Sequence, residues 1–274
     1  MFTENDIYKS LKEAGIPRGP VTLCHTSLRH VGSMENGGDT LLNALIRYFT
    51  EDGGLLAIPT HTWANIGKDT VTCDMASAEV CIGTLPRLAL LRPDGHRSEH
   101  PTHSMVVFGE DKKAEDFIKD EPLFDTPCNP GGCYGKLYTM GGAVLLIGVG
   151  LERLTYLHSV EEMYDVPDRI TEERRDLTIR LKDGNTVHRL YHTHHGISAV
   201  PCTWSVNPSD HFMKMETAFR TCGALRDLTL GNARSLHCDC RIMKEVYGMV
   251  YENAAGQELF CDDVPIPEKW YRKK

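Results

Sequence analysis

The segment Gly142-Ala-Val-Leu-Leu-Ile-Gly-Val-Gly150 is apolar on both sides of any extended chain that carries it. A strand with one face in water alternates polar and apolar residues, so an uninterrupted run bounded by glycines implies a strand covered on both faces. Three further runs share the texture: Val21-Thr-Leu-Cys24, Gly54-Leu-Leu-Ala-Ile58 and Ser104-Met-Val-Val-Phe108. Between them lie helical patterns at Asn5–Ala14 (closed by Gly15), Leu41–Phe49 (opened by Gly37-Gly-Asp-Thr40), Val80–Leu91 and Lys112–Lys119. Pro86 is expected to bend or interrupt the third. Buried strands separated by helices predict a three-layer α/β/α sandwich with a mostly parallel central sheet.

Further along the texture changes. Asp176-Leu-Thr-Ile-Arg-Leu-Lys182, then Asp183-Gly184, then Asn185-Thr-Val-His-Arg-Leu-Tyr191 reads as an antiparallel hairpin with a tight Asp-Gly turn. Ser209–Cys222 and Cys240–Tyr251 read as amphipathic helices, ahead of a Pro-containing tail ending Lys269-Trp-Tyr-Arg-Lys-Lys274. Without a repeat, a low-complexity stretch or a linker, residues 1–274 are expected to form one domain with the hairpin as an addition in the C-terminal part.

The chain is 41% hydrophobic and 25% charged with a formal net charge of -8, which argues against nucleic acid or an anionic membrane as the main partner and mildly suits a cationic ligand. No apolar run approaches the roughly 20 residues of a membrane span. The start Met1-Phe-Thr-Glu-Asn-Asp6 lacks the features of a signal peptide, so a cytoplasmic location with free thiols is expected for the ten cysteines.

Just beyond Gly150, the stretch Leu154-Thr-Tyr-Leu-His-Ser-Val-Glu-Glu-Met-Tyr-Asp165 places His158, Glu161, Glu162 and Asp165 at i, i+3, i+4 and i+7. On a helix capped by Thr155 these form one stripe, while Leu154, Leu157, Val160 and Tyr164 form another. The helix would spring from the carboxyl end of a buried strand, where open α/β sheets place their ligand crevices. A histidine one turn from a carboxylate can be fixed in one tautomer and made more basic, as a general base requires. The same spacing also describes a solvated acidic face, and spacing alone does not choose.

Other clusters compete. His25-Thr-Ser-Leu-Arg-His-Val-Gly32 joins a strand to a helix with hydroxyls, an Arg and amides suited to an anion, although it is neither a P-loop nor GxGxxG. Cys24 and His25 alternate on a strand and so point to opposite faces. His192-Thr-His-His195 with Cys202, and Cys238-Asp-Cys240, invite a metal but lack paired zinc spacing.

Taken together, His25-Thr-Ser-Leu-Arg-His-Val-Gly32, Pro59-Thr-His-Thr62, Arg97-Ser-Glu-His-Pro-Thr-His-Ser104, Asp125-Thr-Pro127, Leu145-Leu-Ile-Gly-Val-Gly150 and Leu157-His-Ser-Val-Glu161 resemble, in order and spacing, the aminoglycoside 3-N-acetyltransferase family. The resemblance runs from residue 20 to residue 170 and more loosely beyond. It implies an α/β/α sandwich, acetyl-coenzyme A as cosubstrate, no metal, and a small cationic amine such as an aminoglycoside as acceptor. His158 matches the catalytic histidine and Glu161 the carboxylate one turn on. His25, Thr26, Ser27, Leu28 and Arg29, with Pro101, Thr102, His103 and Ser104, match the regions that receive coenzyme A.

Thr26 stands where many relatives have Ser, and the stretch Trp63–Ala78 shows no pattern assignable to an acceptor pocket. On this reading Glu162, Asp165, Asp125 and Asp74 would line an acidic mouth for the amine, Arg29 would offset the charge of coenzyme A, and amides or hydroxyls near Thr26–Leu28 would polarise the thioester. A homodimer is compatible with the resemblance. Two rivals are a metal-dependent hydrolase built on His192–His195 with Cys202, and a non-catalytic binder of coenzyme A or an amine metabolite.

Overall fold

The computed structural model describes residues 1–68, 71–195, 210–255, 262 and 264–272. In chain order it contains α1 (Glu4–Glu13), β1 (Val21–Thr26), α2 (Leu28–Val31), α3 (Gly38–Thr50), β2 (Leu55–Pro59), β3 (Cys73–Asp74), α4 (Thr84–Leu90), β4 (His96–Arg97), β5 (Met105–Phe108) and α5 (Asp111–Ile118). It continues with α6 (Cys133–Met140), β6 (Ala143–Ile147), α7 (Tyr156–Met163), β7 (Arg175–Arg180), β8 (Thr186–Tyr191), α8 (Glu216–Thr221), β9 (Leu225–Leu230), β10 (Ala233–Asp239) and α9 (Cys240–Ala254).

The four apolar runs become β1, β2, β5 and β6, and their alternation explains the layering. Leu23, Leu55, Ala57, Met105, Val107, Val144 and Leu146 enter one core, packed by α5, α6, α7, α8 and α9. Cys24, Leu56, Ile58, Val106, Phe108, Leu145 and Ile147 enter the other, packed by α1, α3 and α4. Each strand therefore has no face left for water, which is why no polar residue interrupts Ala143–Ile147. Shortening a fully buried side chain such as Leu145 to Ala is expected to cost about 2–5 kcal/mol.

The seven-stranded sheet has the order β4-β5-β2-β1-β6-β10-β9. Parallel pairing is confined to its centre, β2 with β1 and β1 with β6. The outer strands β5, β4, β10 and β9 join antiparallel. The predicted α/β/α sandwich is thus present, with its parallel part reduced to the three strands that position the site. The hairpin of β9 and β10 is invisible to hydrophobic alternation because Leu225-Arg-Asp-Leu-Thr-Leu230 is only partly apolar. Its turn, Gly231-Asn232, supplies the signal, with Gly231 at φ +57.

The hairpin of β7 and β8 pairs as expected from Arg175↔Tyr191 to Arg180↔Thr186. Its connection is a three-residue loop rather than a two-residue Asp-Gly turn: Leu181 N donates to Asn185 O at 2.7 Å, and Gly184 takes φ +86. The hairpin does not extend the main sheet. It pairs with β3 in a separate three-stranded sheet over a small core of Cys73, Met75 and Ile179, so part of the unassigned stretch Trp63–Ala78 is its third strand.

Two helix boundaries also differ from expectation. The third helix begins at Thr84, not Val80, so Pro86 sits in its first turn, where a missing N–H costs no bond, and bends nothing. Residues Asp210–Met215 form a 3-10 segment ahead of α8, and Ser209 lies outside the described residues. The described cysteines are free thiols, and among the described residues no helix is long and apolar enough to cross a membrane.

Candidate active site

The carboxyl ends of β1, β2 and β6 lie side by side because these three strands run in the same direction. Each delivers a histidine to that edge. His25 is the penultimate residue of β1, His61 follows β2 by two residues, and His158 sits in the helix after β6. That edge is where a sheet of this type opens a crevice.

Thr155 precedes α7 but its side chain makes no capping bond, so the helix is held by packing of Tyr156, Leu157 and Val160, all fully buried. His158 and Glu161 fall one turn apart, and Nδ1 of His158 lies 3.3 Å from Oε2 of Glu161. The stripe does not divide as a solvated face would. Glu161 is fully buried, whereas the His158 side chain keeps 14% exposure. With Nδ1–H donated to the carboxylate, Nε2 of His158 is the nitrogen left to accept a proton.

A buried carboxylate must find compensation, and Glu161 has it from three directions. Its Oε1 accepts from Arg169 Nε at 2.8 Å, His211 Nε2 at 3.0 Å and Tyr247 OH at 3.4 Å. Burial by itself pushes this carboxyl up, but His211, the His158 hydrogen bond and Arg169 together overrule it and hold the group well below the usual carboxylate range. It is an anion whose orientation is fixed. Helical spacing finds His158 and Glu161 but not Arg169, His211 or Tyr247, which reach the site from outside α7 through tertiary packing.

The ring of His158 is held by its neighbours. His194 lies against it with 4.2 Å between centroids and the planes tilted by 35°, and Phe212 meets it edge-on at 4.8 Å. His194 in turn meets His103 at 5.0 Å, and His103 meets His61 at 4.5 Å, where His61 Nε2 bonds Tyr134 OH at 2.7 Å. Burial, the leading cause in each, drives His61, His103 and His194 well below the ordinary imidazole range. His25 falls to about 3, through burial and then Arg153, and its Nε2 is buried without a hydrogen-bond partner among the described residues.

Among the residues matched to coenzyme A, two groups separate. Thr26, Ser27 and Leu28 are half-buried and Arg29 is exposed on α2, so this segment is reachable from solvent. Pro101, Thr102, His103 and Ser104 are buried and stapled to the strand end opposite: Thr60 Oγ1 meets Ser104 Oγ at 2.9 Å and Thr62 Oγ1 donates to the Pro101 carbonyl at 2.8 Å. Ser104 is fully buried and also serves Arg97.

Three of the four acids are engaged by other groups of the chain rather than left free for an amine. Glu162 is turned inward: one oxygen takes the Thr126 hydroxyl and the other the Cys128 N–H at 2.9 Å. Burial, eased by those bonds, raises its carboxyl to about 7. Asp165 falls past the end of α7 with φ 48 and is exposed. Asp125 is paired with Arg174 at 2.6 Å. Asp74 is paired with Arg180 at 3.1 Å on the wall of a hollow of about 720 Å³ that also has Thr62, Asn65, Lys68 and Glu79. The reason is local: α7 ends at Met163, and arginines on the 170s and β7 reach the other two.

Of the rival metal cluster, His192 is tied to the Thr171 carbonyl and to Arg174, His194 belongs to the stack on His158, and Cys202 lies outside the described residues.

Residues 23–250 match the family described as aminoglycoside 3-N-acetyltransferase. The chain belongs to the aminoglycoside 3-N-acetyltransferase family. It is 33% identical over 188 residues to aminoglycoside N(3)-acetyltransferase IV of Salmonella sp, covering 68% of this chain and 67% of that one. It is 29% identical over 207 residues to aminoglycoside N(3)-acetyltransferase VII of Streptomyces paromomycinus, covering 69% and 70%. Among solved structures, AAC-IIIb bound to CoASH superposes with a TM-score of 0.76 at 25% identity, covering 92% of this chain and 97% of that one. A histidine-to-alanine mutant of AAC(3)-IVa in complex with a gentamicin superposes with a TM-score of 0.74 at 25% identity, covering 93% and 90%. These relatives are acyltransferases, and the histidine-bearing edge of the sheet is the place to look for their chemistry in this member.

Proposed function

We propose that this chain transfers the acetyl group of acetyl-coenzyme A to an amino group of a small cationic amine, an aminoglycoside or a similar acceptor, by direct attack within one ternary complex. The observation that carries the proposal is the His158–Glu161 pair: a partly accessible imidazole whose Nδ1 is held by a buried anion at 3.3 Å. Nε2 of His158 takes the proton from the attacking amine as nitrogen bonds to the thioester carbonyl carbon. The tetrahedral intermediate then expels the coenzyme A thiolate, which leaves as the thiol on taking up a proton. Glu161 stabilises the imidazolium that forms in between.

Relatives support the two substrates, since one solved structure holds CoASH and another holds a gentamicin. That the aminoglycoside complex is with a histidine-to-alanine mutant fits a histidine at the centre of the reaction. In this chain the exposed Arg29 and Arg153 are the cations available beside the Thr26–Leu28 segment and His25 for the anionic end of the donor. The acceptor is expected to bind mainly through groups other than Glu162, whose oxygens are both occupied.

The test is to replace His158 with Ala and quantify the acetylated acceptor by mass spectrometry over a panel of aminoglycosides and polyamines. A properly folded variant that still acetylates at a near-normal rate eliminates His158 as the base. Absence of transfer by the unmodified protein over the whole panel would favour the non-catalytic binder.

A further inference from the structure

His103, Cys128 and His194 come from three separate segments, yet each turns one ligand atom into a common space, all within 4.8 Å of one another. We infer that these three side chains form a binding site for a thiophilic divalent cation, with zinc the best match, beside and distinct from the His158–Glu161 pair.

The geometry and the donor set agree on the class of ion. Zinc holds thiolate sulfur at about 2.3 Å and imidazole nitrogen at about 2.0–2.1 Å, so tetrahedral ligand atoms sit roughly 3.4–3.6 Å apart. Cys128 Sγ and His194 Nε2 are already 3.9 Å apart, and side-chain torsions can close the remainder. Sulfur with two imidazoles suits zinc and disfavours magnesium or calcium, which take oxygen. Three protein ligands leave a fourth position for water or another donor.

The outer contacts have the form that metal-binding histidines need. Thr102 Oγ1 meets His103 Nδ1 at 2.9 Å, and the Arg169 carbonyl accepts from the backbone N–H of His195 at 3.0 Å, so the His103 ring and the segment carrying His194 are held by groups other than the ion. Cys128 is set by its backbone, whose N–H is fixed to Glu162 at 2.9 Å. The Cys128 thiol sheds its proton when the cation arrives to replace it.

Acetyl transfer by His158 needs no metal, and the position of the site makes the ion an inhibitor. The His194 ring lies 4.2 Å from the His158 ring between centroids, so a dication on His194 places positive charge beside the position a cationic amine must reach. This inhibitory half rests on the role proposed for His158, whereas binding does not.

Cobalt(II), a spectroscopic stand-in for zinc, is to be titrated into the whole, metal-stripped protein while absorbance is followed. One equivalent is expected to give a thiolate-to-cobalt charge-transfer band with tetrahedral d–d absorption, both displaced by zinc and both missing in Cys128→Ser. Lack of the band in the unmodified protein, or its survival in Cys128→Ser, overturns the site. In parallel, zinc is expected to suppress formation of acetylated acceptor, read by mass because zinc also captures free coenzyme A thiol. EDTA should restore it, and Cys128→Ser should transfer regardless of zinc. Zinc-indifferent transfer by the unmodified protein overturns the inhibitory role.

Discussion

Oε1 of Glu161 accepts a hydrogen bond from Nε of Arg169 at 2.8 Å, and both side chains are shut away from water, at 0% and 6% exposure. The pair is therefore a folding constraint. Neutralising Glu161 as Gln removes the buried anion on which Arg169, His211 and His158 converge, a change expected to cost about 3–5 kcal/mol. Thermal unfolding of Glu161→Gln should show this loss. Unchanged stability would mean that the charge of Glu161 contributes nothing net to folding.

His158 is the opposite case, since its ring is partly accessible and packs on His194 and Phe212. His158→Ala should fold and still bind acetyl-coenzyme A, with kcat falling by about 10²–10⁴ and the KM for the donor little changed. Steady-state kinetics read both terms. A KM effect with kcat preserved would place the residue in binding instead.

Direct transfer predicts that acetyl-coenzyme A alone leaves the protein unmodified by intact mass. The thiol in the histidine cluster, Cys128, is buried and its pKa is pushed up, so it is a poor nucleophile in the resting state. An acetylated protein in the absence of acceptor would establish a two-step route.

His25, His61, His100, His103 and His194 are all held neutral by burial, below the 6.5 at which they titrate in an unfolded chain. Between those two values the unfolded chain holds more protons, so stability falls as pH falls below 6.5, by up to about 1.4 kcal/mol per pH unit for each ring. For His25 the window runs down to about 3. Glu162 works the other way: raised to about 7, it contributes stability fully present below 4.5 and lost as pH rises through 7. Five rings outweigh one carboxyl, and the melting temperature is expected to drop steeply between pH 6.5 and 5. A flat profile there would show the histidines to be hydrated.

Glu162→Gln separates the two contributions. The amide can keep both bonds, accepting from the Cys128 N–H and donating to the Thr126 hydroxyl, and it carries no charge to desolvate. At pH 8 the variant should be as stable as the parent or more so, by on the order of 2 kcal/mol, with the difference vanishing near pH 5. Destabilisation at pH 8 would assign Glu162 a cationic partner that its bonds do not reveal.

Much of the fold is written in local pattern and much of the site is not. Ala143–Ile147 announces a doubly covered strand because every residue is apolar, and the spacing of His158 and Glu161 announces a pair because one helical turn joins them. Strand direction is another matter: β10 lies antiparallel to β6, and no residue within either strand states it. The acids at 74 and 125 looked available for an amine because a sequence shows charge without showing partners. In the fold Arg180 and Arg174 have taken them. Glu162 and Glu161 are adjacent in sequence, yet one is raised and the other depressed, since burial dominates at Glu162 whereas His211, His158 and Arg169 overrule it at Glu161.

The groups that balance Glu161 are supplied by residues 169, 211 and 247, the last of them on the closing long helix. On the ribosome, α7 emerges well before those partners do, so for a time the carboxylate has no interior to enter and that face of the nascent chain must stay wet. Commitment of this layer waits for α9 to emerge, and a chain cut short ahead of Tyr247 lacks one of the anion's partners where its core should close.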